Sequence, residues 1–121
     1  MSESPLRWVF VSDLQLAPEA AEREDRRRLL IERVATEKPH LVIDGGDHVA
    51  GAMNDDPEER NNVALMWKAY RRVMAPLRDL CPVIHSLGNH DQTGTHPSND
   101  EFLRQVGRDG KSTYHASTIG G

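Results

Sequence analysis

Three short clusters of acidic, amide and imidazole side chains stand out along the chain: Asp13-Leu14-Gln15, Asp44-Gly45-Gly46-Asp47 and Gly88-Asn89-His90-Asp91. Carboxylate and amide oxygens together with an imidazole are donors suited to manganese, iron or zinc. The single cysteine, Cys81, leaves no thiolate pair for a structural zinc finger. Two ions roughly 3.5 to 4 Å apart need a carboxylate able to bridge them, plus a bridging hydroxide that attacks phosphorus in line. Asp47 suits the bridge, because the glycines at 45 and 46 let the backbone turn sharply and bring its side chain to the centre of a site.

Clusters so far apart need a scaffold, and each follows a short apolar run. Trp8-Val9-Phe10-Val11-Ser12 reads as a buried strand stopping at Asp13, Leu41-Val42-Ile43 as a second strand, and residues 82–87 as a third. Residues 19–36 favour helix, with Leu30, Ile31 and Val34 as the apolar stripe and Lys38-Pro39 as the stop. Asp56-Pro57-Glu58-Glu59 combines an N-cap, a proline at the first helical position and glutamates that complement the dipole. Val63, Met66, Trp67, Tyr70, Val73 and Leu77 then form one apolar helical face. Pro76 should kink or end that helix, with an irregular turn reaching Leu80. Ser98 and Glu101 read as the cap of a short helix through about Val106, followed by Gly107 and a weaker strand around residues 112–117.

Strands and helices in this order predict an α/β fold with right-handed crossovers and a parallel sheet. The loops leaving the carboxyl ends of the strands then share one edge, where open α/β sheets bind ligands. Asp13, Gln15, Asp47, Asn89, His90 and Asp91 are expected to converge there. Asp44 is expected to shape its turn, with support of the site from behind as the lesser alternative. His48 either lines the cleft or packs as a structural histidine, His85 packs within its strand, and His40, His96 and His115 fall in loops or solvent.

The chain carries 15 Lys+Arg against 19 Asp+Glu, a formal charge of −4, which argues against a general nucleic-acid binder. Arg26, Arg27 and Arg28 are offset by Glu22, Glu24, Asp25 and Glu32 and read as a solvated helix face. Leu, Ile, Val and Phe number 26 of 121 residues, enough for a thin core that would lean on a partner, a metal or further chain. Cys81 fits a reducing compartment and core packing. The apolar run from Trp8 to Val11 is too short to span a bilayer, and Met1-Ser2-Glu3-Ser4 lacks the charged flank of a secretory signal, so a soluble cytoplasmic protein is expected. No repeat or linker divides residues 1–121.

Asp13-Leu14-Gln15, Gly46-Asp47 and Gly88-Asn89-His90-Asp91, each after a strand, resemble the first three motifs of calcineurin-like metallophosphoesterases. Gly-Asn-His-Asp after Pro-Val-Ile-His-Ser-Leu is the specific element, and the resemblance runs from about Arg7 to Asp91. It implies that Asp13 and Gln15 bind a first divalent metal ion (manganese, iron or zinc), that Asp47 bridges, and that Asn89 binds a second. It also implies that His90 contacts phosphate and protonates the leaving oxygen, and that Asp91 orients His90. Two departures matter: Gln15 stands where the family usually has histidine, and the family's later lone histidine and Gly-His-x-His are absent from the sequence. This chain is therefore expected to be the N-terminal half of a two-sheet α/β sandwich.

Three functions stay open at this point. The leading one is metal-dependent hydrolysis of a phosphate ester, with phosphoprotein, nucleotide and nucleic-acid substrates all compatible. The second is a non-catalytic module binding metal or phosphate. The third is an assembly subunit whose exposed sheet recruits a partner carrying the remaining ligands. A homo-oligomer, or a partner covering that sheet, is expected because unpaired strands and apolar faces seek cover.

Overall fold

The computed structural model describes residues 5–17, 21–51, 57–92, 99–108 and 113. The expected caps at Asp56 and Ser98, His96, His115 and the strand around 112–117, apart from Thr113, lie outside them. The elements run β1 (Trp8–Val11), α1 (Ala21–Ala35), β2 (Leu41–Asp44), α2 (Pro57–Arg78), β3 (Val83–His85) and α3 (Asp100–Gln105), with a single 3-10 turn at Asn89–Asp91. The strands form one parallel sheet in the order β1-β2-β3, with Val9 beside Val42, Val42 beside Val83, and Asp44 beside His85. This is the expected α/β architecture.

Strand order that advances in one direction through crossovers of one hand places both helices on the same side of the sheet. The pleat then sorts the strands' side chains. Val9, Val11, Val42, Asp44, Val83 and His85 share the helix-covered face, where Val42 and Asp44 are fully buried. Trp8, Phe10, Leu41, Ile43 and Ile84 share the other face, and there Trp8 is 57% and Phe10 60% exposed. The expectation that Trp8 to Val11 is a buried strand is thus corrected: alternate residues of β1 point to a face that no described element covers.

The core lies between sheet and helices. Val63, Met66, Trp67, Tyr70, Val73 and Leu77, the face expected of α2, are all buried, joined by Ala69 and Met74. On α1 only Ile31 of the expected stripe is fully buried; Val34 is partly buried and Leu30 is 54% exposed. α2 begins at Pro57 and continues through Pro76. Proline removes one backbone donor, but Leu77 is anchored in the core and Asp79 N–H reaches the Ala75 carbonyl at 3.0 Å, so the last turn holds. Gly107, with φ 78°, ends α3 in the left-handed conformation usual after a helix. Among the described residues no helix is long and apolar enough to cross a membrane.

Candidate metal centre at the carboxyl ends of the strands

The loop after β1 is laid along the loop after β2 by backbone pairing that resumes beyond the strands. Asp13 N–H donates to the Gly46 carbonyl at 3.0 Å, Gln15 N–H to Asp47 at 2.9 Å and Leu16 N–H to His48 at 3.2 Å, while Ala50 N–H returns to Leu16 at 2.9 Å. Leu14 and Leu16 are buried, whereas Asp13 is exposed and Gln15 half-buried. From α1, Arg27 Nε donates to the Leu14 carbonyl and Arg23 to the Gln15 carbonyl at 3.4 Å, fixing this loop from the outside. Its neighbours behave as the solvated face expected: Arg26 pairs with Glu22 at 2.6 Å, and Arg28 with Asp25 and Glu32.

Four described non-glycine residues have left-handed backbones: Asp13 (φ 60°), Gln15 (48°), Lys38 (50°) and Asp47 (54°). Lys38 follows the end of α1, where this conformation is an ordinary cap. The other three are expected metal ligands, and each such residue costs on the order of 1–3 kcal/mol that the surrounding structure must offset.

The loop after β3 meets the loop after β2 at glycine. A Cβ on Gly88 would lie 2.1 Å from Asp47 N and 2.2 Å from Asp47 Oδ1, and one on Gly46 (φ 107°) 2.6 Å from Gly88 N. This approach lets His90 N–H donate to Asp47 Oδ1 at 2.9 Å. Asp47 is nearly buried, whereas Asn89 and His90 are exposed on the 3-10 turn. His90 Nδ1 lies 2.8 Å from the Ala50 carbonyl, which can only accept, so Nδ1 carries the hydrogen and Nε2 is the nitrogen left for chemistry.

Asp91 does not take the expected place behind His90. Its carboxylate is buried and accepts N–H groups from Asp47 at 3.0 Å, His48 at 2.9 Å and Gly88 at 2.9 Å, and contacts His48 Nδ1 at 2.7 Å. Successive residues of a 3-10 turn point roughly 120° apart, so with His90 facing outward Asp91 faces in. Asp91 therefore ties two loops together, and Ala50 orients His90.

Behind these loops lies a buried polar cluster that sequence reading did not assemble. Asp44 accepts Gly46 N–H at 3.0 Å and the Tyr70 hydroxyl at 2.7 Å; His48 Nε2 lies 3.1 Å from His85 Nδ1 and 3.4 Å from Asp44 Oδ1. The His48 ring packs among Trp67, Tyr70 and Phe102. Burial pushes the Asp44 carboxyl above its ordinary range, partly offset by His48, and burial together with Asp44 holds the Tyr70 phenol well above its own. The available signal was the parallel register, which sets Asp44 beside His85; Tyr70 had no signal beyond its place on a core face.

The loops laid side by side at this edge carry carboxylates at Asp13 and Asp47 and amides at Gln15 and Asn89, donor types that fit divalent cations. Among solved structures, a dimetal phosphatase from Danio rerio shares the fold, with a TM-score of 0.53 at 20% identity. That match covers 73% of this chain and 31% of the other, so the chain spans less than a third of that relative. No curated protein matches. The sequence profile of the calcineurin-like phosphoesterases matches residues 6–118, nearly the whole chain, and the chain belongs to that family.

Proposed function

We propose that this chain carries the metal-holding loops of a phosphoesterase that hydrolyses a phosphate ester. The observation supporting this reading is the left-handed backbone at Asp13, Gln15 and Asp47, strain spent at the positions whose side chains suit a shared cation site. Asp13, Gln15, Asp47 and Asn89 would hold divalent metal ions, which would supply Lewis-acid activation of water and of the phosphoryl group. Asn89 contributes its amide oxygen from the exposed turn, and Asp47 is steadied there by His90 N–H.

His90 is the general acid in this proposal. With Nδ1–H engaged by Ala50, the imidazolium presents its Nε2 proton outward to the departing oxygen, and the neutral ring that remains keeps the same orientation. Asp91 acts on the loops rather than on the proton. These donors are proposed to belong to a larger domain whose remaining metal ligands come from further chain or from a partner.

The test uses manganese-loaded protein with p-nitrophenyl phosphate and its bis ester. Turnover that Asp47→Asn abolishes is the expected result. Metal binding without turnover would instead make the chain a non-catalytic module. His90→Gln should lower kcat by about 10² or more with an alkyl ester, and by much less with p-nitrophenolate, which departs without a proton.

A further inference from the structure

We infer that the cluster beneath the sheet, Asp44 with His48 and His85, is a structural zinc site separate from the loop site. One ligand atom from each residue lies within 4.8 Å of the others, and Asp44 and His48 are fully buried. Tetrahedral zinc with bonds of about 2.0–2.1 Å sets its ligand atoms about 3.3 Å apart along each edge. His48 Nε2 stands 3.1 Å from His85 Nδ1 and 3.4 Å from Asp44 Oδ1, close to that spacing, and the Tyr70 hydroxyl lies 3.3 Å from His85 Nδ1.

Proton placement supports the same reading. Asp91 Oδ2 already accepts backbone N–H groups from Asp47 and Gly88, so the proton in its 2.7 Å contact with His48 belongs to Nδ1. Nε2 is then the nitrogen that faces His85 Nδ1 and Asp44 Oδ1. A carboxylate behind a histidine in this way fixes ring and tautomer in metal sites generally. Two imidazoles and a carboxylate are donors that suit zinc and differ from the all-oxygen shells of magnesium and calcium.

A cleft that reaches this cluster from solvent is unsuited to a cation. Its volume is about 210 Å³ and it reaches Tyr70 and His85, but Arg71, Arg78 and Arg104 line it. Zinc would accordingly be captured as the chain folds and exchange slowly afterwards, in contrast to ions at the open loop site.

The experiment measures zinc per chain by inductively coupled plasma mass spectrometry after dialysis against a chelator. Wild type and Asp47→Asn are each expected to keep about one zinc, and His85→Gln to keep none while its circular dichroism is unchanged. Loss of zinc from Asp47→Asn, or full zinc in folded His85→Gln, overturns the proposal. Should His85→Gln not fold, cobalt-substituted Asp47→Asn decides: intense visible bands of tetrahedral cobalt support the site. Weak octahedral bands, no cobalt uptake, or a His48 ring seen by nitrogen NMR as imidazolium refute it.

Discussion

At the scale of single residues, the site rests on contacts too close for an added atom. Gly88 has an ordinary backbone conformation, with φ −98°, so its requirement is space rather than flexibility. A methyl group there meets Asp47 backbone and carboxylate together, and Gly88→Ala should cost about 3 kcal/mol by forcing the two loops apart. Urea denaturation would register that loss, and an unshifted midpoint would show that the loops are not held at this separation. Asp44 gives a second test, in zinc-free protein. Its carboxyl is raised by burial, so the folded chain binds that proton more tightly than the unfolded chain. Stability from this group is complete below the unfolded carboxyl value and is lost as pH rises through the raised folded value. Denaturation midpoints of Asp44→Asn should therefore lack that decline, with the gap to wild type changing steadily over the same window.

At the scale of elements, α2 does more than close a crossover. One face carries Trp67, Tyr70 and Leu77 into the core, and Tyr70 also reaches Asp44 at the end of β2. Leu77 lies just past Pro76, and its burial is what carries the helix through that residue. Leu77→Ala should cost about 2–5 kcal/mol. Leu80, in the turn beyond and 45% exposed, should tolerate alanine to within about 0.5 kcal/mol. Equal losses at the two positions, measured by urea, would mean that the end of α2 is not seated as described. The helix was legible because apolar residues recur at three and four positions. Its passage through Pro76 was not, because a local rule counts the missing donor and cannot count the packing that outweighs it.

At the scale of the whole molecule, the described residues cover the sheet on one side. The other side presents Trp8 and Phe10 beside Leu41, Ile43 and Ile84. An apolar face of this kind draws copies together in water. Sedimentation velocity should show association that increases with concentration, and Phe10→Lys should weaken it without lowering the unfolding midpoint, since Phe10 is already 60% exposed. Unchanged sedimentation in the variant would place the contact elsewhere.

Residue order alone located the three described strands and the helical spans, the passage of α2 through Pro76 excepted, because hydrophobic period and turn glycines are local properties. It also determined that acidic and amide side chains follow each strand, and that parallel crossovers bring those loops to one edge. Tertiary structure alone decided which face of β1 meets solvent, since that depends on both helices taking the same side. It likewise decided that Asp91 binds backbone rather than His90, and that Asp44, His48, Tyr70 and His85 meet beneath the sheet. A buried polar atom takes whichever partner the packing brings within hydrogen-bond distance, and no spacing along the chain encodes that partner.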